Sequence, residues 1–241
     1  MKFLSYLLLT LSLLNTETNT KEEPFVLVQL FTSQGCSSCP PADKLIEKVN
    51  NEYKEQKVYV LSYHVDYWNR LGWADPFSKR EFTEIQYKYA DQFKRKQVYT
   101  PQIVVNGQDH FIGSNESKLR KKIKKYIKEA PENSITFSSS KNADGDTVLN
   151  YEVSGDIKNK NLKLAFVLQN CITKIKSGEN SDKTLTNTNV VFKEVVLELN
   201  NQYRGSFTIL KTSIEVQKEL TIIGFIQNDA LKVTGANKLD L

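Results

Sequence analysis

Cysteine is scarce in this chain: there are three in 241 residues, Cys36, Cys39 and Cys171. Exported proteins stapled by disulfides usually carry an even number. One close pair plus one remote residue therefore speaks for a working dithiol and a bystander, not for a cysteine-rich scaffold. Histidine is scarcer still, with only His64 and His110. A structural zinc site takes four ligands, typically with a second C-x-x-C or an H-x-H pair. Here only Cys171, His64 and His110 remain, and they are scattered, so no resident metal or cofactor is expected. Excess charge is also small, at +5, and much of it falls on one helix, so no nucleic-acid partner is implied. Only the N-terminus carries a long apolar run. The rest has the composition of a packed protein, 39% hydrophobic with 11 Tyr and 12 Phe, which excludes disorder and fibrous repeats.

The N-terminal run is MKFLSYLLLTLSLL. Lys2 supplies a positive start, Phe3 to Leu14 an apolar core broken only by Ser and Thr, and polar NTETNT follows. About a dozen apolar-rich residues fall short of the roughly 20 that a membrane span needs. Residues 1–20 therefore read as a signal peptide, although no A-x-A pattern marks its cleavage. No cysteine follows the core, which argues against a lipoprotein anchor. The mature chain is expected to be secreted or periplasmic, without a membrane span.

Beyond the leader the chain changes character once. FVLVQLF (25–31) is of strand length and mostly apolar, and 40–55 reads as helix, with Leu45, Ile46, Val49 and Tyr53 on one face and Pro40 and Pro41 in the first turn. KVYVLSYHV (57–65) is a second buried-type strand. Ser78 and Glu81 match the capping box S-x-x-E, opening a helix to about residue 95. VYTPQIVV (98–105) is a strand, and Asn106-Gly107 is a two-residue hairpin signal leading to DHFIG. A last helix spans about 116–130, its lysines and arginines forming a solvated face. The resulting order, β-α-β-α-β-β-α, is that of the thioredoxin fold and bounds a domain at 24–130. After KEAPENS, seven short strand-like runs (ITFSSS, TVLNYEVS, LKLAFVLQ, VVFKEVVLEL, YRGSFTIL, LTIIGFIQ and KVTGANKL) predict a small all-β sandwich-like domain at 131–241. NADGD (142–146) resembles part of a calcium loop but lacks the other ligands and reads as a hairpin turn.

FTSQGCSSCPPAD (31–43) carries the chemistry. Cys36 falls where a strand hands over to a helix, so amide hydrogens and the helix dipole can stabilise a thiolate. Cys39 lies one turn on. An exposed Cys36 would attack a substrate disulfide and Cys39 would resolve the mixed disulfide. Alternatively the pair is a structural clamp, although so short a loop yields little loop-closure stabilisation, or a copper(I) clip, since copper(I) takes two or three soft ligands. Thr100-Pro101 opens the third strand, where a cis-proline would face the dithiol and shape a substrate groove; the plainer reading is an edge-strand proline. His64 and Asp66 follow the second strand at the carboxyl end of the sheet, where ligands bind, and would form a proton relay or simply a packed loop. Trp68 and Trp73 read as loop packing, and Cys171, inside an apolar strand, as a buried free thiol.

FTSQGCSSCPPAD, YHVDYW, LGWADPF, VYTPQIVVNG and GENSDKTLTNTNVV together resemble the DUF1223 family of secreted thioredoxin-like proteins, from about residue 25 to the C-terminus. The resemblance implies a thioredoxin-like fold. The chain departs from typical thioredoxins at Ser37-Ser38 between the cysteines and at Gly35 before them. It also offers Gln29 and Leu30 where those proteins keep a buried Asp. The expected function is an exported thiol–disulfide oxidoreductase acting on protein or small-thiol substrates in the cell envelope. Its alternative is a non-enzymatic envelope binding module.

Overall fold

The structure, a computed structural model, describes residues 23–212 and 220–241. The expected signal peptide at 1–20 lies outside the described residues. Two apolar runs make the centre of the molecule: β1 (Val26–Thr32) and β2 (Val58–His64) pair in parallel, Val26 opposite Val58 through to Thr32 opposite His64. Every residue of both strands is buried. Burial on both faces is why they read as continuous apolar runs without alternation. Helix α1 (Pro40–Glu52) makes the crossover and buries Leu45, Ile46 and Val49 against the sheet. Helix α2 (Arg80–Gln92) buries Phe82 and Tyr89. Strand β3 (Gln102–Val105) pairs antiparallel with β1, and β4 (Asp109–Ile112) returns beside it. Asn106 and Gly107 join them with φ of 49° and 67°, the two positive values a type I′ turn needs. Helix α3 (Glu116–Tyr126) is capped by the Asn115 side chain and buries Leu119, Ile123 and Tyr126.

All seven strand-like runs of the second half form strands: β5 (Ile135–Lys141), β6 (Thr147–Val153), β7 (Lys160–Lys174), β8 (Thr184–Glu198), β9 (Arg204–Ile209), β10 (Leu220–Asn228) and β11 (Val233–Asp240). Asn142–Asp146 is the β5–β6 turn. The strands divide between two sheets. β5, β6 and β9 make a three-stranded sheet, while the other four continue the first half's sheet in the order β11-β10-β7-β8-β2-β1-β3-β4. The small sheet packs on β7 and β10 through Ile135, Leu149, Tyr151, Leu164 and Ile222. The second half thus contributes a small sheet and four strands that extend the sheet β1 and β2 begin. The join is narrow. β2 and β8 share a single registered pair, Ser62 with Val190, helped by Ser62 Oγ donating to Thr188 O at 2.7 Å and Asn189 Nδ2 donating to Val60 O at 3.1 Å. Tyr89 adds a second tie: its hydroxyl donates to Gln29 Oε1 on β1 and accepts from Gln227 Nε2 on β10.

Two local details differ from the expected pattern. The capping box at Ser78 and Glu81 does not form: α2 begins after Lys79 with no side-chain cap, because the Ser78 hydroxyl donates instead to Asp75 O. Helices α1 and α3 stop short of residues 55 and 130, at Glu52 and Tyr126. Among the described residues no helix is long and apolar enough to cross a membrane.

Candidate functional site

The chain between β1 and α1 turns tightly. Cys36 N donates to Ser33 O and Cys39 N to Cys36 O, both at 3.2 Å. These turns bring Cys36 and Cys39 to a Cα separation of 5.4 Å, and they form a disulfide. Cys39 is the N-cap of α1, with Pro40 and Pro41 as its first two residues. The sulfur environment is built from three segments. Thr100 Oγ1 donates to Cys36 Sγ at 3.3 Å, and Ser38 Oγ lies 3.4 Å from the same sulfur. Trp68 Nε1 donates to Thr100 Oγ1 at 2.8 Å, so this tryptophan orients the threonine as well as packing its loop. The Thr100–Pro101 peptide is cis. Pro101 sits against the start of α1 across Gly113: a Cβ on Gly113 would fall 2.9 Å from Pro101 Cβ and 3.0 Å from Ala42 Cβ.

Cys36 is not the exposed thiol the motif suggests; both cysteines are 0% accessible, while Ser37 and Ser38 between them are exposed. The cover comes partly from residues 175–183, the connection between β7 and β8. Asn180, fully buried, donates through Nδ2 to Gln34 O and to Cys36 O, each at 2.9 Å. Glu179 Oε2 accepts from Ser37 N at 3.0 Å. Ser177 donates to Gly72 O, and Gly178, at φ 76°, lies against Trp73.

Beneath the disulfide lies a buried polar cluster. His64 Nδ1 is 2.7 Å from Asp75 Oδ2. The same carboxylate accepts from Gln34 N at 2.8 Å and from Phe77 N at 3.0 Å. Burial opposes ionisation of Asp75, but His64 and the two backbone donors hold it below the ordinary carboxylate range. Asp43, on α1 one turn beyond Cys39, is also buried and accepts from Thr32 Oγ1 at 3.0 Å. Desolvation raises its pKa to about 7, against the lowering influence of His64 and Thr32. Side chains in a helix lean toward its N-terminus, so Asp43 leans toward the end that Cys39 caps. His64 Nε2 and Asn187 Nδ2, both buried, have no protein partner.

Four of the expected site residues, Cys36, Cys39, Thr100 and Pro101, therefore come together. His64 joins them through Asp75 and Gln34. Asp66 does not: it accepts from Thr83 Oγ1 at 2.6 Å at the start of α2, and His64 takes Asp75 as its partner. Asp43, Asp75, Glu179 and Asn180 are the contributors that motif reasoning missed. All four lie inside distinctive stretches, Asp43 in FTSQGCSSCPPAD, Asp75 in LGWADPF and Glu179 and Asn180 in GENSDK, but nothing local assigns them a role. Cys171 is a buried free thiol, its pKa pushed up to about 11 by desolvation. Among the described residues no group of three His, Cys, Asp or Glu side chains could hold a metal ion.

The family model described as "Protein of unknown function (DUF1223)" matches residues 27–227. The chain belongs to the DUF1223 family. This DUF1223 chain is also similar to a solved structure, the X-ray crystal structure of protein AGR_C_4864 from Agrobacterium tumefaciens. Identity is 26% and the TM-score 0.68, over 90% of this chain and 95% of that one. Among curated proteins nothing matches. The matched span takes in the dithiol, the cis-proline and the 175–183 connection alike.

Proposed function

We propose that this DUF1223 chain is an exported thiol–disulfide oxidoreductase whose catalytic pair is Cys36 and Cys39. Residues 24–130 would form a thioredoxin-like unit and 131–241 its sandwich-like companion. One observation carries the reading: Thr100, beside cis Pro101, places its hydroxyl 3.3 Å from Cys36 Sγ, with the disulfide at a strand-to-helix join. In the reducing direction the Cys36 thiolate attacks a substrate disulfide, one substrate sulfur leaves as thiolate, and Cys39 then attacks Cys36 Sγ to release the second. Two electrons pass from the protein dithiol to the substrate, and the protein disulfide is restored. Asp43, with a pKa near neutrality, is suited to accept the Cys39 proton at pH 7, and the His64–Asp75 hydrogen bond lies in the same buried cluster. The substrate class is a protein or small-molecule disulfide of the cell envelope, secreted or periplasmic, and export rests on the leader at 1–20.

Burial of both sulfurs favours a second reading, a permanent disulfide in a non-enzymatic envelope binding module. Redox titration in defined thiol buffers, with alkylated cysteines counted by mass, separates the two. A reversible couple between roughly −270 and −120 mV supports the oxidoreductase, and resistance to reduction below about −300 mV supports the structural pair. For the oxidoreductase, Cys36→Ser abolishes exchange and Cys39→Ser accumulates a mixed disulfide. Wild-type exchange by both variants refutes it. One copper(I) per reduced chain in native mass spectrometry would instead mark a metal clip.

A further inference from the structure

Four features of the fold converge on the amide of Ser37. A thiolate at a helix N-terminus is ordinarily stabilised by the unpaired N–H groups of the first turn. In this chain Pro40 and Pro41 occupy the first two helical positions and have no N–H to offer. The next two amides, of Ala42 and Asp43, are already bonded to Cys39 O. Cys39 N is bonded to Cys36 O. Ser37 N, immediately after Cys36, is taken by the Glu179 carboxylate at 3.0 Å. Asn180 locks that carboxylate in place by holding the carbonyls of Gln34 and Cys36. Glu179, an exposed carboxylate that also bonds the Ser37 side chain, thus occupies the amide donor adjacent to Cys36.

We infer that Glu179, delivered by the β7–β8 connection, is a positioning residue for the redox pair: it competes with the Cys36 thiolate for the Ser37 amide and so sets the acidity of Cys36. This rests on the oxidoreductase reading. Two negative groups competing for one N–H each weaken the other's bond to it, and a like charge beside the pair disfavours the charged form. Formation of the thiolate therefore weakens the Glu179 contact and loosens the connection over the pair, while closure of the disulfide restores both. The role also accounts for GENSDK, a conspicuous sequence feature with no part in the exchange step itself. The other titratable or charged side chains around the pair are Asp43 on α1, His64 at the end of β2 and Asp75 before α2, all buried, and Lys183, which donates to Asn180 Oδ1 at 2.9 Å. None of them bonds Ser37 N.

The test is the pH dependence of Cys36 alkylation in the reduced full-length protein, followed by mass, for wild type, Glu179→Gln and Glu179→Asp. Glutamine keeps an acceptor for Ser37 N and removes the charge. Glu179 is exposed, so solvent screens its charge, and we expect the Cys36 midpoint of this variant to fall by about half a pH unit, an approximately threefold gain in thiolate well below the midpoint. Aspartate, which keeps the charge, should stay closer to wild type than glutamine does. A residue that merely pinned the connection would alter thermal melting and leave the midpoint unmoved. If the wild-type disulfide opens reversibly and Glu179→Gln titrates as wild type does, the inference is overturned and the oxidoreductase reading stands. If dithiothreitol cannot open the wild-type disulfide, both fall.

Discussion

Asp43 offers the most direct quantitative test of the buried cluster. Its folded-state pKa is about 7 against an ordinary 3.8, because burial penalises the carboxylate more than His64 and Thr32 favour it. Between those values the native protein holds a proton that the unfolded chain has released. Stability contributed by this proton is present below the unfolded pKa and fades as pH rises through the folded one. Linkage then gives a loss of about 2 kcal/mol on going from pH 5 to pH 7, with little further change above pH 8. Asp43→Asn, which mimics the protonated side chain, should remove this component. The assay is urea unfolding of the oxidised protein at half-unit steps from pH 5 to pH 8. Oxidation removes the titration of Cys36 and Cys39, and Cys171, at about 11, stays neutral throughout. Stability of Asp43→Asn minus that of wild type should grow with pH across this window. A difference that stays flat would show that Asp43 is already ionised at pH 5 and that the proposed proton acceptor for Cys39 does not exist.

Asn180→Ala leaves two buried carbonyls, Gln34 O and Cys36 O, without their donor; it should cost about 2 kcal/mol or more and speed reduction of the disulfide by dithiothreitol at least severalfold, and an unchanged reduction rate would refute the covering role of 175–183. Tyr89→Phe removes the hydroxyl between Gln29 and Gln227 and should lower stability by about 1–3 kcal/mol in chemical denaturation; a neutral result would mean the two amides find each other directly. Gly107→Ala, at φ 67° with its Cβ directed 1.8 Å from Leu231 O, should destabilise by at least about 2 kcal/mol, read as a lower urea midpoint.

Local rules made much of this architecture legible. The mostly apolar stretches at β1 and β2, the stripe Leu45-Ile46-Val49 and the Asn106-Gly107 pair each dictate their own backbone through burial or φ preference, and each appears in the structure. The candidate site was readable as far as it is local, in Cys36, Cys39 and Thr100-Pro101. What sequence did not disclose depends on distant contacts. Asp66 is closer to His64 in sequence, but the carboxylate that reaches the His64 ring is that of Asp75, in the loop before α2. Glu179 and Asn180 reach the dithiol from more than 140 positions away, and no periodicity encodes such a meeting. Strand patterns for β7 and β8 gave their existence but not their neighbour, since an apolar strand fits beside β2 as well as beside a partner in a separate sandwich.

The single registered pair between β2 and β8 also bears on how the chain reaches its native state. Ser62 meets Val190, and β8 (Thr184–Glu198) follows β2 by more than a hundred residues. Until it is synthesised, the edge of β2 that faces away from β1 lacks this neighbour, although every residue of the strand is buried in the finished protein. Such edges are templates for aggregation, and contacts this remote in sequence close slowly. A dithiol-bearing half that forms before β8 therefore keeps that edge open, and the second half closes it at the Ser62–Val190 pair.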